Sequence, residues 1–303
     1  MTTHWKTLRG VAPRIIAHRG ASGYRPEHTR EAYELALEQG ADVLEPDLVM
    51  SRDGELFVRH EAGLAHSTDI ASRPEFARRA RDIGGVRDWW ICDFDAAEVD
   101  TLRAIQPIAS RGTHYDGRLR ILRFGELLEL AQGDAIRRGA AVFVDVEMKD
   151  PEFFAAHGLD KAAAVAAELV ARGLTGPAAP VWLESFDHAA LGNAYRRCGN
   201  RSFALFERVP DEATMGELAA WVSGVAPHKS LLWDPAGKDA GLVAAAHARG
   251  LEVHAWTFRE DRSPAPFDTP RAELEAAFAL GVDALFCDFP DVAVAARAAF
   301  GAR

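Results

Sequence analysis

Cysteine is scarce: Cys92, Cys198 and Cys287 stand far apart, with no Cys-x-x-Cys pair. That spacing argues against a disulfide framework or a thiolate zinc site and is read as three partly buried thiols. Long apolar runs are missing too, so no transmembrane helix is expected. Residues 1–12 carry Lys6 and Arg9 but no apolar stretch of signal-peptide length, which predicts a cytoplasmic protein without membrane insertion. Positive charge is in deficit, with 45 acidic against 35 basic residues and a formal charge of −10. This opposes attraction to polyanions and argues against a nucleic-acid partner. Internal repeats and low-complexity tracts are absent as well; the alanine-rich stretches 162–171 and 292–299 are helix-forming filler.

What the chain does contain is a rhythm. Its 48% hydrophobic and 26% charged residues fit a soluble globular protein. Its 303 residues suffice for two small domains but are an ordinary length for a single α/β barrel. From residue 123 onwards, helical and strand-like patterns alternate with little between them, as in β-then-α units closing a parallel sheet. Helices are predicted at 29–39, 123–138, 160–172, 187–198, 211–222, 238–249, 270–280 and 290–299. Several end at a glycine suited to a left-handed cap: Gly40, Gly139, Gly173, Gly199, Gly250 and Gly281. Strands are predicted at 14–18, 43–50, 55–60, 142–148, 180–186, 202–207, 224–226, 251–257 and 284–288. These nine candidates compete for eight barrel positions, and 224–226 has the weakest pattern. Between Asp47 and His60 no helix fits; Arg52-Asp53-Gly54 reads as a turn between a descent along 48–51 and a short strand climbing to His60. Residues 61–122, with Trp89-Trp90 and Asp116-Gly117, break the rhythm. The expected architecture is α/β: one TIM (β/α)8 barrel domain over 1–303, with an insertion at 61–122 after the third strand, lying over the barrel mouth.

Residues 15–60 gather imidazoles, an arginine and carboxylates around short apolar runs: Ile15-Ile16-Ala17-His18-Arg19-Gly20, Glu45-Pro46-Asp47 and Phe57-Val58-Arg59-His60. Strand side chains alternate faces, so Glu45 and Asp47 share a side about 7 Å apart along the backbone, which suits two oxygen ligands on one hard cation. His18 and His60 each close an apolar run, and a parallel barrel opens all its carboxyl strand ends onto one mouth. Oxygen ligands favour Mg²⁺, Mn²⁺ or Ca²⁺ over zinc. The set points to metal-assisted attack on a phosphodiester. A cation polarises phosphorus, Arg19 and Lys149 supply donors to developing charge, and two imidazoles divide the proton work. Singly, each residue has a plainer reading as a solvated strand-end acid or a histidine capping a buried strand; together they favour chemistry.

In order and spacing these segments resemble the glycerophosphodiester phosphodiesterase family. The first block comprises His18-Arg19-Gly20-Ala21 with Pro26-Glu27-His28-Thr29, Glu45-Pro46-Asp47-Leu48 with Ser51-Arg52-Asp53-Gly54, and His60. Asp145-Val146-Glu147-Met148-Lys149, Glu184-Ser185-Phe186-Asp187, His254-Ala255-Trp256-Thr257 and Cys287-Asp288-Phe289-Pro290 resemble its later blocks, so the likeness runs from about 14 to 292. The insertion, with Cys92-Asp93-Phe94 and Tyr115-Asp116-Gly117-Arg118, is similar to that of the bacterial, calcium-using branch that releases glycerol 3-phosphate.

The resemblance implies hydrolysis of glycerophosphodiesters, such as glycerophosphocholine or glycerophosphoethanolamine, to sn-glycerol 3-phosphate and an alcohol. It implies that Glu45, Asp47 and Glu147 hold one divalent cation, Ca²⁺ or Mg²⁺, with Mn²⁺ admitted. His18 would serve the attacking side and His60 the leaving alcohol, although the two roles are interchangeable at this level. Arg19, Glu27, Lys149 and Trp256 would contact substrate, Phe186 and Phe289 would join Trp256 in an apolar wall, and Gly20 would let backbone approach the phosphate. Glu61 follows His60 where the family usually has aspartate, and can accept the same hydrogen bond. Two other readings stand beside this one. One is a phospholipase-D-like barrel enzyme that releases a cyclic phosphate from lysophospholipids or sphingolipids. The other is a non-catalytic phosphodiester-binding barrel, which would need no proton donor. His28, His66, His114, His157, His188, His228 and His247 show no partner pattern and are read as surface or packing residues. Headgroup and oligomeric state are left open.

Overall fold

Strands enclosed between a barrel interior and a layer of helices need apolar residues on both faces. Most strand candidates meet that requirement. In the computed structural model, which describes residues 5–262 and 266–303, eight of them close into a parallel ring. The single-domain expectation over 1–303 also includes residues 1–4 and 263–265, which lie outside the described residues.

In chain order the strands are β1 (Arg14–His18), β2 (Val43–Glu45), β3 (Asp47–Met50), β4 (Leu56–Val58), β5 (Arg81–Ile83), β6 (Val86–Asp88), β7 (Phe143–Met148), β8 (Val181–Ser185), β9 (Ser202–Phe206), β10 (Gly224–Pro227), β11 (Glu252–Phe258) and β12 (Ala284–Cys287). The ring runs β1-β2-β7-β8-β9-β10-β11-β12 and closes where β12 pairs with β1. The helices are α1 (Arg30–Glu38), α2 (Ala96–Val99), α3 (Phe124–Arg138), α4 (Pro151–Ala156), α5 (Lys161–Ala171), α6 (His188–Cys198), α7 (Glu212–Ala219), α8 (Leu242–His247), α9 (Pro270–Leu280) and α10 (Pro290–Gly301). Several begin where a side chain caps the first turn. Thr29, Asp160, Asp187, Asp211 and Thr269 each accept from the backbone N–H three residues on. The helices predicted at 211–222 and 238–249 are shorter, and α2 and α4 carry too little periodicity to be foreseen.

The ring settles which strand candidate is peripheral, and it is not 224–226. β10 is a full member, with Val225 opposite Ala204 on one side and Val253 on the other. Its pattern is weak because its neighbours fill the space: a Cβ on Gly224 would lie 2.4 Å from the Glu252 carbonyl and 2.7 Å from the Phe203 ring. The peripheral strand is β4, which runs antiparallel to β3 outside the ring. The break between β2 and β3 falls at Pro46, which has no N–H to give a ladder. β2 pairs with β1 and β7; β3 continues along β7 from Asp47 opposite Glu147, then leaves to meet β4. The insertion follows β4. Its apolar residues Leu64, Ile70, Ile91, Phe94, Val99 and Leu102 are buried in the same cluster as Leu48, Val49 and Phe57.

Strand parity sorts the side chains. Ile16, Val43, Trp182, Phe203, Leu205, Ala226, Ala284 and Phe286 form the apolar filling of the ring, while Ile15, Ala17, Leu44, Val144, Val146 and Leu183 pack outward against helices. Burying each large side chain of this kind is worth about 1.5–3 kcal/mol. Two residues further along each strand, the same inward parity reaches the carboxyl mouth, and there the residues become ionisable: His18, Glu45, Glu147 and Glu184.

Candidate active site

Register brings those four into one layer. His18 lies opposite Glu45, and Glu147 opposite both Asp47 and Glu184. One carboxylate oxygen each from Glu45, Glu147 and Glu184 falls within 4.8 Å of the others, and all three residues are buried. Glu45 and Glu147 are thus in the trio expected from sequence and in this cluster. The third member here is Glu184, and Asp47 lies opposite Glu147 on the neighbouring strand.

Acids this close cannot all ionise cheaply without a counter-cation. Burial, reinforced by Asp47 and Glu147, raises Glu45 well above the usual carboxylate range. Burial, opposed by Lys149 and reinforced by Asp47, pushes Glu147 up to about 8. Glu184 is raised by burial and by its acidic neighbours. Asp47 goes the other way: burial would raise it, but His60, Lys149 and Arg19 hold it well below its ordinary value. Lys149 sits with Nζ 2.9 Å from Glu147, and the Glu147 and Asp47 carboxylates outweigh its burial to keep it charged.

Arg19 has a left-handed backbone, φ 59°, a conformation that L side chains adopt only where surroundings enforce it. Here it turns the Arg19 amide onto Glu45, donating to the backbone carbonyl at 3.1 Å and to Oε2 at 2.9 Å. The guanidinium donates to Glu27 Oε2 at 3.0 Å, and its Nε stands 3.2 Å from Asp47. Glu27 therefore orients Arg19. At Gly20 a Cβ would strike the main chain of Ala32 in α1 at 2.8 Å, so its small size serves helix packing.

Each of the two expected catalytic imidazoles is fixed through Nδ1 by a carboxylate. His18 Nδ1 meets Asp288 Oδ1 at 2.7 Å, and His60 Nδ1 meets Glu61 Oε1 at 2.6 Å, so glutamate makes the bond despite its extra methylene. Burial, followed by the adjacent Arg19, lowers His18 to about 4, with Asp288 offsetting part of the effect. For Glu61, burial is overcome by the His60 bond, and its carboxyl falls to about 2. Asp288 is 1% exposed, and besides His18 it accepts from Arg111 Nη2 at 2.5 Å and Arg259 Nε at 2.8 Å. Burial would raise it, but these three partners hold it far below the usual range. Arg111 comes from the insertion and also reaches Asp261 and the Ser22 carbonyl.

Some partners are not legible in sequence. His28, read there as a surface or packing residue, is 3% exposed and bridges Tyr33 Oη and Asp47 Oδ2, each at 2.9 Å. The correction has a simple cause: α1 carries Tyr33 under the loop, and nothing local in the sequence shows that contact. His228 lines the cavity beside Trp256, with ring centroids 4.8 Å apart. Trp256 meets Phe186 edge to face at 5.6 Å and forms part of the expected apolar wall; Phe289 instead packs on Tyr24. Glu184 is visible as a strand-end acid with inward parity. Arg111 has no signal.

A small cavity of about 110 Å³ is lined by His18, Arg19, Glu45, His60, Glu147, Lys149 and Glu184, with Trp256 and Phe186 on one side. Fold and site together define a TIM-barrel enzyme with an acid-rich mouth. Residues 18–292 match the glycerophosphoryl diester phosphodiesterase family. Glycerophosphodiester phosphodiesterase GDPD6 of Arabidopsis thaliana is 29% identical, over 94% of this chain and 86% of that protein. A glycerophosphodiester phosphodiesterase of Treponema pallidum is 28% identical, over 92% and 90% respectively. A solved glycerophosphoryl diester phosphodiesterase from Silicibacter pomeroyi superposes with a TM-score of 0.71 at 26% identity, covering 96% of this chain and 94% of its own. An Oleispira antarctica phosphodiesterase, solved with the product sn-glycerol-3-phosphate, shares the fold with a TM-score of 0.70 at 22% identity, covering 96% and 99%. The chain belongs to the glycerophosphoryl diester phosphodiesterase family, and it is an enzyme, a phosphoric diester hydrolase.

Proposed function

We propose that this enzyme hydrolyses glycerophosphodiesters to sn-glycerol 3-phosphate and an alcohol, with one divalent cation and with His18 and His60 dividing the proton work. The observation that carries the reading is the shared cavity: both carboxylate-anchored imidazoles line the same small space as the acid cluster.

The donor set fits a hard cation. Glu45 Oε1, Asp47 Oδ1 and Glu184 Oε2 are buried oxygens without a hydrogen-bond donor among the described residues. Glu45, Asp47 and Glu147, joined by Glu184, would hold it; oxygen-only ligands favour Ca²⁺, Mg²⁺ or Mn²⁺. When bound, such an ion supplies Lewis-acid polarisation of a non-bridging phosphoryl oxygen. The remaining work belongs to the chain. Arg19 and Lys149 place positive charge beside the cluster, where charge develops on the phosphoryl oxygens. His18, with Nδ1–H donated to Asp288, presents an unprotonated Nε2 that can take a proton from the attacking water. His60, anchored by Glu61, returns a proton to the departing alcohol. Trp256 and Phe186 give the glycerol carbons an apolar wall.

The test is release of glycerol 3-phosphate from a panel of glycerophosphodiesters under Ca²⁺, Mg²⁺ and Mn²⁺ in turn. Activity should vanish in excess chelator and return with the cation. Full turnover in chelator refutes the metal assignment, and a cyclic phosphate as the end product by phosphorus NMR refutes hydrolysis by water.

A further inference from the structure

The closed ring has a second end. Opposite the mouth, a pocket of about 500 Å³ opens at the amino ends of the strands, and the buried His254 lines it from inside the ring. The inward parity that carries Ile16 and His18 puts Arg14 at the floor of β1, about 13 Å from His18 along the strand. Arg201, just before β9, and Glu252 on β11 reach the same floor, where Arg9 joins them from the amino-terminal segment and Arg297 from α10.

Charge at this floor does not balance. Four guanidiniums line the pocket against three carboxylates, those of Asp42, Glu252 and Asp283. Each carboxylate is already engaged. Glu252 accepts from Arg9 Nε and Arg201 Nη2, both at 2.8 Å, and Asp42 Oδ2 accepts from Arg297 and from the Ile15 amide. Asp283 holds the Leu8 and Val253 amides and His247. Arg14 is left over: among the described residues its guanidinium has no hydrogen bond and no salt bridge.

Its place is nevertheless fixed. The Arg14 Cζ lies 4.2 Å from the centroid of the Phe143 ring and 5.5 Å from that of Trp182, and Arg201 sits 5.4 Å from the same indole. Two guanidiniums thus share one aromatic platform, and only one of them has a carboxylate. Burial pulls Arg14 below its ordinary pKa, with Asp42 and Glu252 opposing. A fixed, half-buried fork of N–H donors without an acceptor matches a bidentate oxyanion, and a guanidinium that holds a carboxylate through one N–H keeps others to offer.

We propose that the barrel floor is a second anion site, which binds a phosphate group, free or as a phosphomonoester, on Arg14 and Arg201. The site is separate from the mouth and does not depend on the chemistry proposed there. A bound oxyanion links β1 to the start of β9 and stands beside the amino-terminal segment and α10, so its occupancy stabilises the closed ring.

The test is calorimetric titration of the full chain with inorganic phosphate and, separately, with sn-glycerol 3-phosphate, in excess chelator and at fixed ionic strength, in the parent and in Arg14→Gln. In the variant one class of phosphate binding weakens at least about tenfold and the rise in Tm that phosphate gives shrinks, while hydrolysis of glycerophosphodiesters with the cation restored is unchanged. Either anion supports the site, and the tighter of the two identifies its source. No phosphate binding by the parent, or equal affinity in parent and variant, overturns the inference. A loss of binding matched by an equal loss of hydrolysis places the anion in the mouth and overturns it as well. One measurement needs no variant: selenate soaked into crystals should appear against Arg14, and selenate at the mouth alone refutes the floor site.

Discussion

Replacing Asp288 by asparagine tests how His18 is made ready. The carboxylate accepts three donors at 2.7, 2.5 and 2.8 Å, from His18, Arg111 and Arg259. Asparagine keeps the shape but offers one acceptor oxygen and two N–H donors. If the oxygen stays with the two guanidiniums, the amide N–H faces His18 Nδ1, and the imidazole must carry its proton on Nε2, where it cannot act as a base. The comparable loss in a histidine–carboxylate pair that keeps its geometry is about 10⁴-fold in kcat, so a drop of about 10³–10⁴ is expected here. Leaving the buried Arg111 guanidinium without its carboxylate costs about 3–5 kcal/mol of stability in addition, and the part-exposed Arg259 adds little.

The pH profile separates wrong tautomer from wrong protonation. In the unaltered protein His18 is lowered to about 4, so its base form is present above that value and is lost as pH falls through it. Asp288 raises that value, so removing its charge moves the protonation step to still lower pH, and raising the pH recovers nothing. The assay is glycerol 3-phosphate release at saturating substrate from pH 5 to 9, with circular dichroism to verify folding. A folded variant with kcat within threefold of the parent, or one whose rate recovers at high pH, refutes the reasoning.

Other outcomes follow from the same site. Glu184→Gln removes a cluster member that keeps an orphan buried oxygen, and should weaken cation binding at least about tenfold by calorimetry; unchanged affinity would place the ion elsewhere. Because Glu147 is raised to about 8, the cluster holds protons below that pH that a cation must displace. Binding should therefore tighten between pH 6 and 8 and release protons, and a cation-induced rise in Tm that is no larger at pH 8 than at pH 6 would contradict this. His18→Ala should cost several orders of magnitude in kcat with little change in Tm; near-native turnover would remove it from the chemistry. Phe203→Ala, inside the ring and stacked on His254 with centroids 3.9 Å apart, should cost about 3–5 kcal/mol in denaturant unfolding, and a loss below 1 kcal/mol would mean that the interior collapses to fill the hole.

Much of this site is legible in the amino-acid sequence itself, because its residues are placed by strand parity. His18, Glu45 and Glu147 share the inward face of their strands with Ile16, Val43 and Asp145 two residues earlier, and a period of two is a property of local backbone. The βα rhythm closes into a ring for the same reason: apolar periodicity and capping residues act over a few positions and are visible in sequence. What parity cannot supply is which strands become neighbours and what lies across from a given end. That Glu184 rather than Asp47 completes the tight cluster depends on register between β7 and β8. That β4 rather than β10 falls outside the ring depends on Phe203 and Glu252 filling the space beside Gly224. Apart from Glu27 beside Arg19 and Glu61 beside His60, the second layer of the site is tertiary. Asp288 reaches His18 across 270 positions, Arg111 reaches Asp288 across 177, and His28 meets Asp47 only because Tyr33 and α1 press the loop into place. Side chains that touch through space leave no periodic trace along the chain, so closure of the barrel decided that Glu184 joins Glu45 and Glu147 and that Asp288 holds His18, whereas Glu61 holds His60 as its neighbour in sequence.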